Sequence, residues 1–241
     1  MRRFVIITVV MFLGLAVLVR AQVPGPALNN LITQDAKAVQ AILAKEKLDK
    51  KGARKAMAAS LLIAHYAQSS KDNPKEMATL RDLALQLLKA IEDDKHADAK
   101  ALAAKLSPMV KAGAAKTDKV ALPKHLEFDL VMRMFSSERV GGFGLEKQIE
   151  DLVGAKPAAG DLDKIVALGQ KTALIASLVR AYVPEKDEGK KSKKLWLSSS
   201  EEMQTNALAL AAAASANKVD AIGKAAESLG NSCIKCHDSF R

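Results

Sequence analysis

The chain has 241 residues, of which 49% are hydrophobic, 27% charged and only 4% aromatic. Alanine and leucine dominate and glycine and proline are sparse, a balance that favours helices over sheets. The formal net charge of +10 favours an acidic partner or an anionic surface through steering, whereas so few aromatics and no recognisable binding motif argue against nucleic acid. A solvated basic surface with no specific partner accounts for the same charge.

In chain order, Arg2 and Arg3 precede an apolar run from Phe4 to Val19, and Val19-Arg20-Ala21 offers small residues for cleavage before Gln22. This reads as a signal peptide over residues 1–21 and places the mature protein in the periplasm or another exported location. An uncleaved anchor is the alternative, but the run falls short of the roughly 20 residues a span needs. Cleavage removes Arg2, Arg3 and Arg20 and no acids, and no membrane span remains.

The next stretch, residues 22–115, reads as four helices, the size of one antiparallel bundle. They are expected from about Leu28 to Lys47, Ala53 to Gln68, Lys75 to Asp93 and His96 to Ala114, with apolar residues recurring at helical spacing. Pro74 gives a helix-start signal before the third. Residues 116–124 form a polar linker containing Pro123.

Residues 125–241 start again. A helix is expected from Leu126 to Arg139, broken by Gly141-Gly142-Phe143-Gly144, because three glycines in four residues do not make a stable helix interior. A short helix over Leu145–Val153 follows, then a long one from about Asp161 to Tyr182, ended by Pro184. Lys186 to Lys194 is a charged, solvated loop. Ser198-Ser199-Ser200-Glu201 opens a helix that runs to about Ala216, and the last helix starts near Lys218.

The two halves resemble each other. Lys55, Leu62 and Tyr66 align without gaps against Lys171, Leu178 and Tyr182. Glu76-Met77-x-Thr79 echoes Glu202-Met203-x-Thr205, and Ala103–Leu106 echoes Ala226–Leu229. The order of elements is the same. The aligned first half has Val110–Ala114 where the second has Cys233–His237.

Cys233 and Cys236, the only cysteines, are spaced C-x-x-C with His237 directly after. That pattern reads as a site for one covalent haem c: two thioether links, with His237 as proximal iron ligand. A redox dithiol or half a zinc site are the alternatives. Zinc would need two more ligands, and His65, His96 and His125 lie far apart without ligand spacing. A dithiol motif of thioredoxin type belongs to a βαβ pattern, which is absent.

A C-x-x-C-H followed by Asp-x-Phe-Arg, at the end of the last helix of a four-helix bundle, resembles the cytochrome c prime family. The resemblance covers Leu126 to Arg241, and the first half only through the repeat. The glycine-rich break at 141–144 and the loop 183–197 depart from a plain bundle and mark a divergent member. The expected fold is all-α: two tandem antiparallel four-helix bundles, the second of cytochrome c prime type and the first without haem.

By that resemblance, Arg241 meets a haem propionate or simply complements the helix end. The first helix of the second bundle covers the distal face. On a helix with about 100° per residue, Phe128, Val131, Met132, Phe135 and Arg139 share one side, while Met134 falls with Leu130 elsewhere. Phe128, Phe135 and Arg139 are therefore candidate pocket residues, and Met132 is the candidate distal iron ligand. An open or blocked distal site, with Met132 as a core residue, is the competing reading; His125 is a further candidate.

The resemblance implies an exported c-type cytochrome that transfers electrons to a redox partner, an acidic one by charge. Binding of nitric oxide or carbon monoxide at a five-coordinate iron, or an interaction protein with incidental haem, are the other readings. There is no Gly-rich phosphate loop and no recognised nucleophile–base motif, so no enzyme is expected. The family pairs bundles through their first two helices, which suggests pairing within this chain or a homodimer.

Overall fold

A computed structural model describes residues 23–107, 111, 113, 117–118, 120–121, 128–183, 186–187 and 192–240, apart from the side chains at 128 and 129. The described residues are all helix, turn or irregular, with no strand.

Helices α1 (Gly25–Leu43), α2 (Lys50–Ser69), α3 (Pro74–Glu92) and α4 (His96–Ala103) pack in a ring, each against its chain neighbour and α4 against α1. In α1, Leu28, Leu31, Ile32, Asp35, Val39 and Leu43 are buried at helical spacing. Asp49 caps α2 by accepting from the Gly52 amide at 2.6 Å. Pro74 opens α3 behind Asn73, which holds a positive φ of 46°. Helix α4 stops at Ala103, not at Ala114. The Ser107-Pro108 step lies just beyond, and a residue before proline disfavours helical geometry.

The second half holds α5 (Phe128–Arg133), α6 (Leu145–Glu150), α7 (Leu162–Val179), α8 (Lys193–Ser215) and α9 (Val219–Phe240). Helix α8 packs between α7 and α9, and α6 packs on α9. Gly169 sets the close approach of α7 to α8. A Cβ there would lie 2.6 Å from the Ala207 carbonyl oxygen and 2.8 Å from the Ala211 nitrogen. Helix α7 ends in a 3-10 turn over Arg180–Tyr182 and does not run as one helix to Tyr182. Helix α8 starts earlier than Ser198: Ser192 is its cap, accepting from the Leu195 amide at 3.1 Å. The Ser198 and Ser200 hydroxyls instead donate back to the Leu195 and Leu197 carbonyls, as interior helical serines do.

The first element of this half departs most from expectation. Helix α5 ends at Arg133, six residues short of Arg139. The carbonyls that would continue it are taken by residues further along. The amides of Phe143, Glu146 and Gly144 donate to Met134, Phe135 and Ser136 respectively. The chain passes through a 3-10 turn (Glu138–Val140) and then Gly141 at φ 91°. A Cβ on Gly142 would sit 2.1 Å from the Ser136 oxygen and 2.3 Å from that of Arg133. Glycine is what lets this strap fold back onto α5.

The halves share one continuous apolar core. Helix α2 contacts both α7 and α5, and α1 contacts α7. Lys171 of α7 reaches Asp35 of α1 at 2.5 Å, both largely buried, and its ammonium lies 4.1 Å from the Phe143 ring centroid. Lys55 of α2 reaches Glu138 at 3.1 Å. The two aligned lysines therefore each pair with an acid of the opposite half. His65 of α2 meets the Ser177 hydroxyl of α7 at 2.6 Å. Burial holds the Asp35 carboxyl above the usual range, against the pull of Lys171. The buried Tyr66 hydroxyl faces the same carboxylate outside good hydrogen-bond geometry, and burial and the Asp35 charge push it well above its ordinary value.

Other aligned positions also share surroundings. Leu62 and Leu178 are both fully buried, and so, nearly, are Met77 and Met203. The Thr79 and Thr205 hydroxyls both donate to the carbonyl four residues back.

Candidate functional site

Helix α9 has a strongly one-sided pattern: Ile222, Ala226, Leu229, Ser232 and Cys236 are buried along one stripe. Two polar contacts fix its rotation against α8. Asn206 donates to the Ser232 hydroxyl at 2.7 Å, and Lys235 pairs with Glu202 at 2.7 Å. With that rotation, Cys233, Cys236 and His237 all face a cavity of about 290 Å³.

The cavity wall opposite α9 comes from α5 and the turn after it: Met132, Arg133, Phe135 and Ser136. Glu146 of α6 closes one side, and Trp196 and Met203 of α8 the other. The Trp196 indole donates to the Val179 carbonyl at 3.0 Å and meets Phe240 edge-on, with centroids 4.8 Å apart. These contacts hold the aromatic wall in place.

Both cysteines are free. Burial, then the Glu146 charge and the neighbouring Cys236, pushes the Cys233 thiol up to about 11. Burial raises Cys236 as well. A redox dithiol works through a lowered thiol pKa, so these surroundings do not suit one. Among the described residues no group of three or more His, Cys, Asp or Glu stands close enough to hold a metal ion. The donors do suit a covalent porphyrin. Two thiols and an imidazole stand on successive turns of one helix, against walls of Met132, Phe135, Trp196, Met203 and Phe240.

Sequence spacing separates Met132 from Met134 as the structure does: Met132 lines the cavity and Met134 is fully buried in the core. Phe135 lines it too. Arg139 does not. With α5 ending at Arg133, the shared face drawn through Arg139 stops early, and Arg139 is exposed in the 3-10 turn. Arg133 is the arginine on the cavity wall instead. The Phe128 side chain, His125 and Arg241 lie outside the described residues. Sequence reasoning did not place Trp196, Met203 or Phe240 in the pocket. The signal was present: Trp196 and Met203 are seven apart on one helix, and Phe240 is four after Cys236, both same-face spacings. Nothing local marks Glu146, which the strap brings in.

No described helix is long and apolar enough to cross a membrane. Residues 166–241 match the family model described as Cytochrome C'. The match covers α9 with its C-x-x-C-H motif, α8 and most of α7, and is consistent with membership of that family. No curated protein and no solved structure matches the chain.

Proposed function

We propose that this chain is an exported c-type cytochrome of cytochrome c prime type that carries one covalent haem and passes single electrons to a redox partner. The observation that carries this is the convergence of Cys233, Cys236 and His237 on one apolar-walled cavity at the end of α9. The family match supports a haem-binding c-type cytochrome. When bound, haem supplies a one-electron Fe(III)/Fe(II) couple. In this reading Cys233 and Cys236 hold the porphyrin, His237 is the proximal ligand and Met132 faces the iron from α5. Trp196, Phe135 and Phe240 exclude water, and Arg133 offers a cation to a propionate. The first half is a repeat that keeps the helices without the cofactor, and serves as a built-in partner for the haem half.

Gas binding is the second reading. What favours it is that Met132 is only half-buried on an open cavity wall, where an unbound methionine would leave iron accessible. Optical spectra of protein made with haem-attachment machinery separate the two. A reduced low-spin spectrum that carbon monoxide leaves unchanged is expected for a six-coordinate carrier. A high-spin spectrum that shifts with the gas would favour the second reading. Met132→Ala should convert the first spectrum to the second; no change would remove Met132 as ligand. Absence of added haem mass would defeat both readings.

A further inference from the structure

The start of α2 and the loop before it carry Lys45, Lys47, Lys50, Lys51 and Arg54, against Glu46 and Asp49, while Glu138 of the strap is paired with Lys55. Asp49 is occupied in capping Gly52, and none of these five cations has an ion-pair partner among the described residues. Lys45, Lys47, Lys50 and Lys51 are exposed. By position in the chain this cluster belongs to the haemless half. In space it touches the other one. The strap residue Gly141 packs against it so closely that an added Cβ would lie 3.0 Å from the Lys51 carbonyl and 3.6 Å from the Arg54 Cβ. The same strap carries exposed Arg139 and Val140, the latter 44% exposed. Its next residue, Gly142, is pressed onto the carbonyls of Arg133 and Ser136, which belong to the cavity wall. The patch is therefore one loop away from the cavity.

We infer that this patch, built by both halves from Lys50, Lys51, Arg54, Arg139 and Val140, is the docking surface for an acidic redox protein. The inference rests on the electron-transfer reading above. Unpaired cations around a single exposed aliphatic residue give long-range attraction for a carboxylate-rich face and a small apolar centre to dock on. Electron exchange requires the partner close to the haem, and the strap places the patch beside the α5 wall. A membrane surface fits less well, because inserting into lipid takes a broad apolar face and Val140 alone does not supply one. On this inference the haemless half contributes the charge that recruits the partner and the other half holds the haem.

The test uses an acidic flavodoxin in its hydroquinone form as reductant. One electron and no atom passes from flavin hydroquinone, which becomes semiquinone, to ferric haem, which becomes ferrous. Lys50→Glu/Lys51→Glu is compared with Lys71→Glu/Lys75→Glu, an equal charge change at the far end of α2, about 30 Å away for a helix of this length. Acids in a first helical turn are favourable, so the first variant keeps its fold. At low ionic strength the Lys50/Lys51 variant should be reduced at least about fivefold more slowly, with a flatter salt dependence, and the control less than about twofold. Dithionite should reduce all three alike. Equal losses in both variants, or none, would overturn the proposal. So would loss of binding to phosphatidylglycerol vesicles in the Lys50/Lys51 variant with flavodoxin rates unchanged. Carbodiimide cross-linking to flavodoxin gives a readout that does not need haem. Cross-links at Lys50 or Lys51 support the surface even if no haem is attached, and cross-links confined to other lysines refute it.

Discussion

The first helices of the two halves end differently. Helix α1 runs unbroken from Gly25 to Leu43 and fills its half with Leu28, Leu31, Ile32 and Val39. Helix α5, described from Phe128, ends at Arg133, and a strap whose amides donate to the Met134, Phe135 and Ser136 carbonyls takes the place of its continuation. The α1 stripe packs into the shared apolar core, whereas α5 and the turn after it face a cavity with Cys233, Cys236 and His237. Ending α5 at Arg133 and folding its continuation back puts Met132, Arg133, Phe135 and Ser136 on the wall of that cavity.

The seam between the halves offers the largest way to break that comparison. Lys171→Met strands Asp35, a buried carboxylate, and should cost about 3 kcal/mol at neutral pH in urea unfolding. The aligned change Lys55→Met, whose partner Glu138 is largely exposed, should cost under about 1 kcal/mol. The Asp35 carboxyl is raised in the folded protein, so its neutral form is favoured there. The penalty of Lys171→Met should shrink as pH falls and the carboxyl protonates. A penalty equal at both lysines would mean the seam is not polarised as described.

His65 sharpens the comparison through pH. Burial pushes its imidazole down to about 4 in the folded protein, from an ordinary 6.5. The unfolded chain thus binds the extra proton first. Stability from this group is complete above about 6.5 and lost as pH falls toward 4, by about 2 kcal/mol after allowance for partial exposure. In His65→Gln that component of the acid dependence should vanish; an unchanged pH profile would show the imidazole is solvated. Asp35, whose shift is opposite in sign, should remain.

The smallest effect tests the close approach of α7 to α8. Gly169→Ala gains about 1 kcal/mol of helix propensity but forces a methyl into backbone atoms, a cost of about 1–3 kcal/mol. A net loss of about 1 kcal/mol is expected by urea unfolding. Gly52→Ala, where the nearest atom is the movable Asp49 side chain at 2.9 Å, should lose less. A stabilised Gly169→Ala would show slack between these helices.

Much of this architecture was legible in local spacing. Helices α2, α3 and α9 lie within a few residues of their expected bounds, and the C-x-x-C-H motif and the Met132/Met134 distinction follow from helical periodicity. What spacing misses comes from partners distant in sequence. The end of α5 is set by amides about ten residues on, from Phe143 and Gly144. The repeat alignment singles out Lys55 and Lys171, yet their acids are 83 and 136 residues away. Arg139 was misplaced and Arg133 missed for the same reason, since a helical wheel holds only while the helix lasts.

Between Ala56 and Ala67, α2 is buried on nearly every side: Ala56, Ala58, Ala59, Leu61, Leu62, Ile63, Ala64 and Tyr66 all lie in the core. A helix with no solvent face in its middle is a shared wall. Neither half can open without exposing that wall to water, so the two halves are expected to melt as one cooperative unit. The α5 wall of the cavity thus rests on a helix that belongs, in the chain, to the other half.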